Sequence, residues 1–413
     1  MRQRAREGLT YVMGVYADLG VRTVINGAGT LTRLGGSRMA PEVLAAMAEA
    51  AASFVHIDEL QARAGEVIAE ITGAEAGYVV TGAAAGLTLG VAACVAGLDV
   101  AKMDRLPDTN GMRNEVVVQR GHRNAYDHAI RAAGVTFVEV GYLGYPGAGG
   151  TYPWQIEAAI TERTAAIACP ILETPGTVPL SVVGEIGRAH GIPVIVDAAA
   201  ELPPRSNLRR FIAEGADLVV FSGGKSIGGP QASGIIAGRG DLVASIALQH
   251  QDMDVRAETW GKRGLLADGT IRGIPHQGFG RAMKVGREEV VGLITALRRY
   301  VAGSDNADYA CWNDQLDHIE EGLGGLAGVT ARRFQPTEKL IPQLLLDLDE
   351  RVLGFTAYDA ANALLDGEPG IAIGLSRAEL GTLNLIPQSL EEDEIEIVGT
   401  RLRQVLSSSL VRA

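Results

Sequence analysis

One lysine, Lys225, stands among glycines just after an apolar run, in the stretch ADLVVFSGGKSIGGPQASG (216–234). Glycines on both sides let the main chain come close to a ligand, and a surface lysine needs no such setting. Gly224-Lys225-Ser226 matches the end of the nucleotide-binding motif G-x-x-x-x-G-K-[ST]. That motif requires a glycine five positions before Gly224, and Val219 stands there. The sequence therefore argues against a P-loop and indicates a lysine that is used as a nucleophile or base.

A carboxylate, Asp197, comes near the end of the apolar segment IPVIVDA (192–198), which has the character of a buried strand. Burying an ionised carboxylate without a partner is costly, so Asp197 requires a cation, either an arginine or a protonated ring nitrogen. Capping of the following turn is the alternative role. Asp197 and Lys225 are 28 positions apart. This spacing fits one strand–helix–strand step, so both side chains are expected at the same edge of a parallel sheet.

A third feature is the small-residue turn TGAAA (81–85), which follows the apolar segment GYVVT (77–81) and opens a helical pattern. Small residues at a helix start let backbone N–H groups approach an anion, although close packing of the helix start is an equal alternative. A phosphate site, a buried carboxylate and a nucleophilic lysine are together what pyridoxal phosphate (PLP) requires. Lys225 would then form the Schiff base, and Asp197 would keep the pyridinium nitrogen protonated.

His122 follows a further strand end, in VVVQRGHRNAYDHAI (116–130). It is expected to lie against the PLP ring, with a structural role at a helix entry as the alternative, and His128 is expected to face elsewhere. The sequence contains no H-E-x-x-H motif and no clustered Cys/His spacing, so a metal site has little support. A G-x-S-x-G elbow is absent as well, which argues against a Ser-His-Asp hydrolase.

Seven β-rich segments position these side chains and alternate with helical patterns. They are 77–81, 115–119, 135–140, 165–170, 192–198, 217–223 and 233–238. Nearly continuous apolar strands separated by helices predict an α/β fold with a seven-stranded, mainly parallel sheet covered on both faces. The last two segments are joined by about ten residues, too few for a helical crossover, so they are expected to be antiparallel.

The segments outside this sheet predict additional parts. A turn-rich loop (24–39) and two helices are expected before the sheet, and one long helix is expected from Arg281 to Tyr300. The remainder predicts a small α+β domain. Its expected strands are 328–334, 341–349, 371–375 and 382–386, and its expected helices are 356–366 and 391–406. The predicted organisation is an N-terminal arm (1–50), a large PLP-binding domain (51–285) and a small C-terminal domain (286–413).

Composition limits the classes of partner. The formal net charge of the 413-residue chain is -12 and no block of Lys and Arg occurs, which argues against nucleic acid as a main partner. Three scattered cysteines suggest no disulfide framework. No charge-free apolar run of the length of a membrane span is present, so the protein is expected in the cytoplasm and away from membranes.

The ordered set of Gly82, His122, Asp197, Ser222 and Lys225 resembles the fold-type-I (aspartate aminotransferase-like) PLP enzymes. Four segments resemble the group that joins bacterial selenocysteine synthase to D-glucosaminate-6-phosphate ammonia-lyases, and the resemblance spans nearly the whole chain. These segments are VINGAGTLTRLGG, QRGHRNAYDHAIRAAG, SGGKSIGGPQASG and GFGRAMKVGREEVVGL. The resemblance implies a seven-stranded large domain that is followed by a smaller C-terminal α+β domain.

Roles for individual residues follow from this resemblance. It implies Lys225 and Asp197 as the catalytic pair, with Ala199 against the ring face opposite His122. The implied cofactor-binding set is Gly82, Ala83, Ala84, His122, Asp197, Ala199, Ser222 and Lys225, in which Ser222 and the Gly82–Ala84 amides hold the phosphate. Arg281 or Lys284 would reach the phosphate region of a neighbouring subunit, or else lie on a solvated helix face. Thr30, Arg281 and Arg377 are candidates for substrate contact, and Arg377 is equally consistent with a surface arginine.

The expected activity is that of a PLP-dependent lyase. It would remove water from a small hydroxy amino acid, most like D-glucosaminate or its 6-phosphate, and release ammonia to give a 2-keto acid. Racemisation, aldol cleavage and a selenocysteine synthase-like transfer are alternatives, and a non-catalytic binding protein with this fold is another. Selenocysteine synthase carries an additional N-terminal tRNA-binding domain, whereas the INGAGT segment here begins at residue 25, so aminoacyl-tRNA is expected to be a poor substrate. A homodimer or larger homo-oligomer with sites at the subunit interface is expected.

Overall fold

Two β-sheets organise the chain, and each belongs to its own compact unit. A computed structural model describes residues 14–143, 150–172, 174–250, 255–275, 277–336 and 340–408. The large unit is residues 37–303, and the small unit combines residues up to Gly36 with those from Ser304 onward. Each unit has its own apolar core, because the two large buried clusters lie between Val43 and Tyr300, whereas the third draws only on the small unit.

Strands are numbered in chain order. They are β1 (Val24–Gly27), β2 (Ala76–Val80), β3 (Glu115–Gln119), β4 (Thr136–Val140), β5 (Thr164–Pro170), β6 (Val194–Asp197), β7 (Leu218–Ser222), β8 (Gly234–Gly238), β9 (Val329–Phe334), β10 (Gln343–Leu348), β11 (Gly370–Arg377) and β12 (Thr382–Leu385).

The α-helices are likewise numbered in chain order. They are α1 (Pro41–Ala51), α2 (Ile57–Thr72), α3 (Ala83–Ala96), α4 (Val100–Arg105), α5 (Asp127–Arg131), α6 (Pro153–Ala159), α7 (Leu180–His190), α8 (Asn207–Ala213), α9 (Gly240–His250), α10 (Gly264–Ala267), α11 (Arg287–Ala302), α12 (Asp305–Leu323), α13 (Glu350–Leu353), α14 (Ala357–Asp366) and α15 (Ile395–Ser407).

The sheet of the large unit has seven strands in the order β2-β8-β7-β6-β5-β3-β4. Every neighbouring pair from β7 to β4 is parallel, and β8 runs antiparallel to both β7 and β2. This arrangement confirms the predicted seven-stranded, mainly parallel sheet with one reversed strand. The strand bounds agree with the predicted segments, because strands such as β3 and β5 are buried on both faces and are therefore visible in the sequence as short apolar segments.

Helix α3 covers the centre of this sheet and leads directly from the predicted phosphate turn. It is apolar on all sides and buried along most of its length, as expected of a helix that packs inside a protein. Gly86 and Gly90 face the sheet, where a Cβ on Gly86 would come within 2.7 Å of Val220. The small residues of α3 therefore serve close helix–sheet packing, and they bring the start of the helix to the edge of the sheet.

The small unit is built on a five-stranded sheet with the order β1-β11-β12-β10-β9. Its four carboxyl-terminal strands and the helices α14 and α15 correspond to the predicted α+β domain. The segment VING, expected within a turn-rich loop, instead forms β1 and pairs in parallel with β11. Helix α12 was not expected as a separate element.

The two units meet in sequence at 36/37 and 303/304, whereas the predicted domain limits were 50/51 and 285/286. The helices α1 and α11 explain the difference, since Arg299 at the end of α11 bonds Glu42 on α1 (2.7 Å) within the large unit. The predicted helix from Arg281 is also shorter, because 279–283 forms a 3-10 turn and α11 begins after Gly286. Among the described residues, no helix has both the length and the apolar character needed to cross a bilayer.

Candidate active site

The Gly82 turn and Ser222 lie at one edge of the large sheet, on either side of Gly234. Strand register places Val80 of β2 and Ser222 of β7 both opposite Gly234 of β8. A Cβ on Gly234 would be 3.0 Å from the nitrogen of Ala83 and 3.0 Å from the carbonyl carbon of Gly82. The absence of a side chain at Gly234 thus lets the start of α3 lie beside Ser222. We call this arrangement of the α3 start, Ser222 and Gly234 the Gly234 recess.

Gly82 gives this recess its shape. Its backbone, with φ 129° and ψ 161°, occupies a region that is essentially restricted to glycine, and open space lies where a Cβ would project. The first intrahelical bond of α3 is made by the N–H of Gly86 to the carbonyl of Gly82 (3.0 Å). The N–H groups of Ala83 and Ala84 precede it and have no acceptor within the helix. These groups can bind an anion at the positive end of the helix dipole.

Lys225 lies in the turn between β7 and β8, and the glycines before it are explained by packing. A Cβ on Gly223 would meet Ser233 at 2.3 Å, and one on Gly224 would meet the Cα of Gln231 at 2.5 Å. The outgoing and returning arms of the turn therefore pack backbone to backbone. Ser37 fixes the turn from outside, since its N–H and its hydroxyl both donate to the carbonyl of Gly224 (3.0 and 3.1 Å). Lys225 is consequently held on a close-packed turn at the carboxyl edge of the sheet.

Asp197 ends β6, the neighbour of β7, at the level of Val220. Its Oδ1 accepts a hydrogen bond from the N–H of Ala199 (3.0 Å). Burial raises the pKa of Asp197 above its ordinary value, although the Ala199 N–H and the positive charge of Lys225 both act in the opposite direction. The predicted pair is thus brought together, and Asp197 sits where an additional cation would stabilise its ionised form.

His122 lies in a 3-10 turn directly after β3 and is only 4% exposed. Its Nδ1 has no hydrogen-bond partner among the described residues. Burial lowers the pKa of the imidazole to about 4, so the ring is neutral at physiological pH. A buried, neutral imidazole at the same edge as Asp197 and Lys225 can pack against a flat aromatic group. Because the imidazole is uncharged, it does not repel a protonated aromatic ring.

The chemistry of these residues fits PLP. The backbone N–H groups at the start of α3, beside Gly234, suit a phosphate, the desolvated carboxylate of Asp197 suits a protonated ring nitrogen, and the neutral ring of His122 suits a stacking partner. The unpartnered Nδ1 of His122 is a further polar atom that a bound group could satisfy.

Two predicted basic residues, Arg281 and Lys284, lie in the segment before α11. Arg281 is part-buried in the 3-10 turn 279–283, and Lys284 follows it with an exposed side chain. Arg281 lies near His250, whose pKa is lowered first by burial and then by the charge of Arg281. His250 is itself fixed between the hydroxyl of Tyr78 (3.0 Å from Nδ1) and the carbonyl of Met283 (2.7 Å from Nε2). Contact of Arg281 or Lys284 with a phosphate stays a prediction.

Thr30 and Arg377, the other candidates for substrate contact, belong to the small unit. Thr30 is part-buried in a bend after β1. The guanidinium of Arg377 lies 5.0 Å from the centre of the Phe334 ring, and its charge lowers the pKa of Asp347 after the larger effects of Arg332. Their roles toward substrate stay predictions.

Several residues that shape the site were not singled out from the sequence. Gly234 forms the floor of the recess, and Ser37 anchors the lysine turn. Asn124 and Thr174 hold the turn of His122, since the Asn124 amide donates to the carbonyl of His122 (3.1 Å) and the Thr174 hydroxyl to that of Gly121 (3.0 Å). Gly121 before the histidine offered a signal, because a glycine beside a candidate ligand often marks close backbone packing.

Comparison with known proteins finds relatives that match 95% of this chain. A family model described as L-seryl-tRNA selenium transferase (SelA) matches residues 23–258. A 5'-C-glycyluridine monooxygenase-decarboxylase from Streptomyces sp is 36% identical over 401 residues, covering 95% of this chain and 92% of the relative. A D-glucosaminate-6-phosphate ammonia lyase from Salmonella typhimurium strain 14028s is 34% identical over 399 residues, covering 95% and 97%.

Solved structures extend the comparison to three dimensions. The structure of a D-glucosaminate-6-phosphate ammonia-lyase superposes with a TM-score of 0.79 at 34% identity, covering 95% of this chain and 98% of that chain. A variant serine palmitoyltransferase from S. paucimobilis with a bound PLP–myriocin aldimine gives a TM-score of 0.53 at 15% identity, covering 92% of this chain and 87% of that chain. The second likeness concerns the fold alone, and together they confirm the predicted PLP fold type I.

Proposed function

The chain belongs to the L-seryl-tRNA selenium transferase (SelA) family, and from that membership we propose that it is a PLP-dependent ammonia-lyase. Its substrate would be a small hydroxy amino acid, most like D-glucosaminate or its 6-phosphate, and its products a 2-keto acid and ammonia. The observation that carries the proposal is the pairing of Lys225 with Asp197 beside an anion recess. It occurs in a chain 34% identical, over 95% of its length, to a D-glucosaminate-6-phosphate ammonia lyase.

In this proposal the edge of the large sheet holds PLP. Lys225 would hold the cofactor covalently through Nζ, and Asp197 would accept a hydrogen bond from its ring nitrogen. His122 would cover one ring face and Ala199 the other, while Ser222 and the amides at the start of α3 would bind the phosphate. When bound, PLP supplies an electron sink that stabilises negative charge at the substrate Cα.

The residues of the chain then supply binding and proton transfer. Once the substrate amine has displaced it from the cofactor, the Lys225 amine would take the Cα proton; its position near Asp197, on a turn held by Ser37, supports this role. The burial of Asp197 and His122 would limit the access of water to the reacting carbon. The β-hydroxyl leaves with a proton as water, and the released enamine takes up water to give the keto acid and ammonia. Electrostatic support of the developing charge by Asp197 is expected to be a large contribution to the rate.

An assay of purified protein with D-glucosaminate and its 6-phosphate, measuring ammonia and keto acid, tests this function. Lys225→Ala is expected to abolish turnover, because both the covalent link and the base are lost. Reduction with borohydride followed by mass spectrometry should find a pyridoxyl adduct on Lys225 in the natural protein. Lys102→Ala, a substitution on α4, is the matched control and should retain activity. An active Lys225→Ala protein with an unchanged visible spectrum would exclude the assignment.

A second candidate function is an oxidative decarboxylation. It is favoured by the 36% identity to the 5'-C-glycyluridine monooxygenase-decarboxylase, which extends over the same 95% of this chain. Oxygen uptake and CO2 release, measured alongside ammonia, separate the two reactions. Change of optical rotation without ammonia would instead indicate a racemase, and an aldehyde product would indicate an aldolase. Seryl-tRNA binding in a filter assay would favour a transferase, which the net charge of -12 opposes.

We also propose a homodimer or larger homo-oligomer that builds its sites from two subunits. Large apolar side chains on the large unit support an interface, with Phe54 97%, Tyr126 61% and Trp154 63% exposed. If Arg281 serves the site of a neighbouring subunit, mixing Lys225→Ala with Arg281→Ala protein should restore part of the activity, because one site in the mixed oligomer is intact. A mixture as inactive as its two components, in a confirmed mixed oligomer, would exclude sharing of Arg281.

A further inference from the structure

The turn that carries His122 is clamped by the next residue, Arg123. The Nε of Arg123 donates to Oδ2 of Asp127 (2.6 Å), and its Nη1 donates to Oε1 of Glu139. The same guanidinium lies 4.7 Å from the centre of the Phe137 ring. Arg123 therefore bonds two carboxylates and packs on an aromatic face at once, which leaves its side chain little freedom.

The two carboxylates come from different elements. Asp127 is the first residue of α5 and is 7% exposed, whereas Glu139 lies on β4 opposite Val118 of β3. Arg123 thus ties the segment after β3 both to the neighbouring strand and to the following helix. The pKa of Arg123 is raised by its hydrogen bond to Asp127 and by the charges of Asp127 and Glu139, so the clamp stays charged.

The backbone on either side of the clamp is held as well. The carbonyl of His122 accepts from the Asn124 amide, and that of Gly121 accepts from the Thr174 hydroxyl. A Cβ on Gly121 would lie 2.8 Å from Thr174 and 2.9 Å from Thr177. These contacts fix the main chain of the turn, but among the described residues no hydrogen bond reaches Nδ1 of the imidazole. The orientation of the ring therefore depends on how firmly the turn itself is fixed.

We propose that Arg123 is a positioning residue, which sets the His122 ring at the cofactor edge by locking its turn to Asp127 and Glu139. The inference rests on the proposed PLP-dependent function for its catalytic consequence, and on geometry alone for its effect on the imidazole. Removing the clamp should let the turn open and the ring tilt, and a displacement of about 1 Å at a catalytic group can cost on the order of 100-fold in rate.

The test compares Arg123→Met with Arg163→Met. Arg163 bonds Glu115 at the opposite end of β3. The substitution Arg163→Met therefore removes a similar ion pair far from the turn and is the matched control. In Arg123→Met, kcat/KM should fall about 10- to 100-fold, with most of the loss in kcat. In the cofactor-free protein, NMR titration should show the pKa of His122 rising from about 4 toward the ordinary 6.5 as water reaches the ring. Arg163→Met should change neither quantity.

Two further variants keep the result decisive. Arg123→Lys can bond one carboxylate but not both in the same geometry, so it should restore kcat/KM only in part. Glu139→Gln keeps the bond from Arg123 to Asp127 and replaces Arg123→Met as the test variant if that protein does not fold. It should raise the imidazole pKa by a smaller amount.

An unchanged His122 titration and unchanged kcat/KM in a folded Arg123→Met protein would overturn the proposal. The titration needs no substrate, so a wrong substrate assignment would leave it intact.

Discussion

His122 is buried in the folded protein, and its protonation is therefore coupled to folding. The ring is 4% exposed, and burial lowers its pKa to about 4. In the unfolded chain the same imidazole titrates near 6.5. Between these two values the unfolded state binds more protons than the folded state, so this contribution to stability rises with pH.

Replacing His122 by Phe tests this coupling while keeping a flat ring. The contribution of the neutral imidazole is fully present above pH 6.5 and is lost as pH falls through 6.5 toward 4, by about 3 kcal/mol. Urea unfolding of both cofactor-free proteins at pH 7.5 and pH 4.5 measures the difference, and comparison with His122→Phe cancels the effect of other groups such as His250. Equal losses of stability in the two proteins would show that His122 does not titrate as inferred.

At this scale the sequence indicates the candidate catalytic residues better than the residues that support them. That Lys225 and Asp197 lie near each other at one edge of the sheet could be predicted, because each comes at or just after the end of an apolar strand and the two strands are one strand–helix–strand step apart. Gly234 could not, since its importance depends on the register of β8 between β2 and β7. The same holds for Arg123, whose partner Glu139 is 16 residues away on β4.

At the scale of the element, the start of α3 depends on one backbone conformation. Gly82 has φ 129° and ψ 161°, and a Cβ there would meet no atom within 4 Å. A substitution at this position therefore raises the backbone energy without a steric clash. Any loss of stability can then be assigned to backbone strain and not to altered packing.

Gly82→Ala should destabilise the protein by about 1–3 kcal/mol, since the region is nearly exclusive to glycine. Relaxation of the turn would move the first N–H groups of α3, and PLP binding should weaken about tenfold or more, equivalent to about 1.4 kcal/mol. Thermal unfolding and a PLP titration measure the two effects. Gly264→Ala is the control, because Gly264 opens α10 with free space and no left-handed φ. Equal behaviour of both variants would contradict the role of Gly82.

The elements themselves were predictable where burial dominates. Strands β3, β5 and β7 are apolar runs, and their bounds follow from composition alone. Helix α12 was missed because its buried residues are only Leu316, Ile319 and Leu323 in a largely polar segment of 19 residues. Strand β1 was missed because a strand of four residues that ends in a glycine carries little signal, and its partner β11 lies near the other end of the chain.

At the scale of the whole molecule, the large unit is one continuous stretch of chain. Residues 37–303 contain both of the larger apolar clusters, with Val219 and Val220 of β7 contributing to opposite faces of the same sheet. The small unit combines two separate stretches around a third cluster. A continuous stretch that encloses its own cores meets the usual requirement for independent folding.

A fragment of residues 37–303 should therefore fold alone. We expect cooperative thermal unfolding and a far-ultraviolet circular dichroism spectrum of a mixed α/β protein. A fragment with the same limits that carries Val219→Asp and Val220→Asp is the control, since two charges in the buried interior strand β7 should prevent folding. A broad, non-cooperative transition in the unsubstituted fragment would show that the small unit is needed to complete its core.

The pairing of β1 with β11 has a consequence for synthesis on the ribosome. The amino-terminal strand emerges early, yet the strand beside which it lies in parallel is translated only after the entire large unit. Domains generally fold as they emerge, so β1 must wait as an unpaired edge while its neighbour acquires structure. Nascent chains arrested before residue 370 should resist protease across 37–303 but be cleaved near residue 25. A chaperone that binds unpaired strands would be expected to bind β1 during this interval.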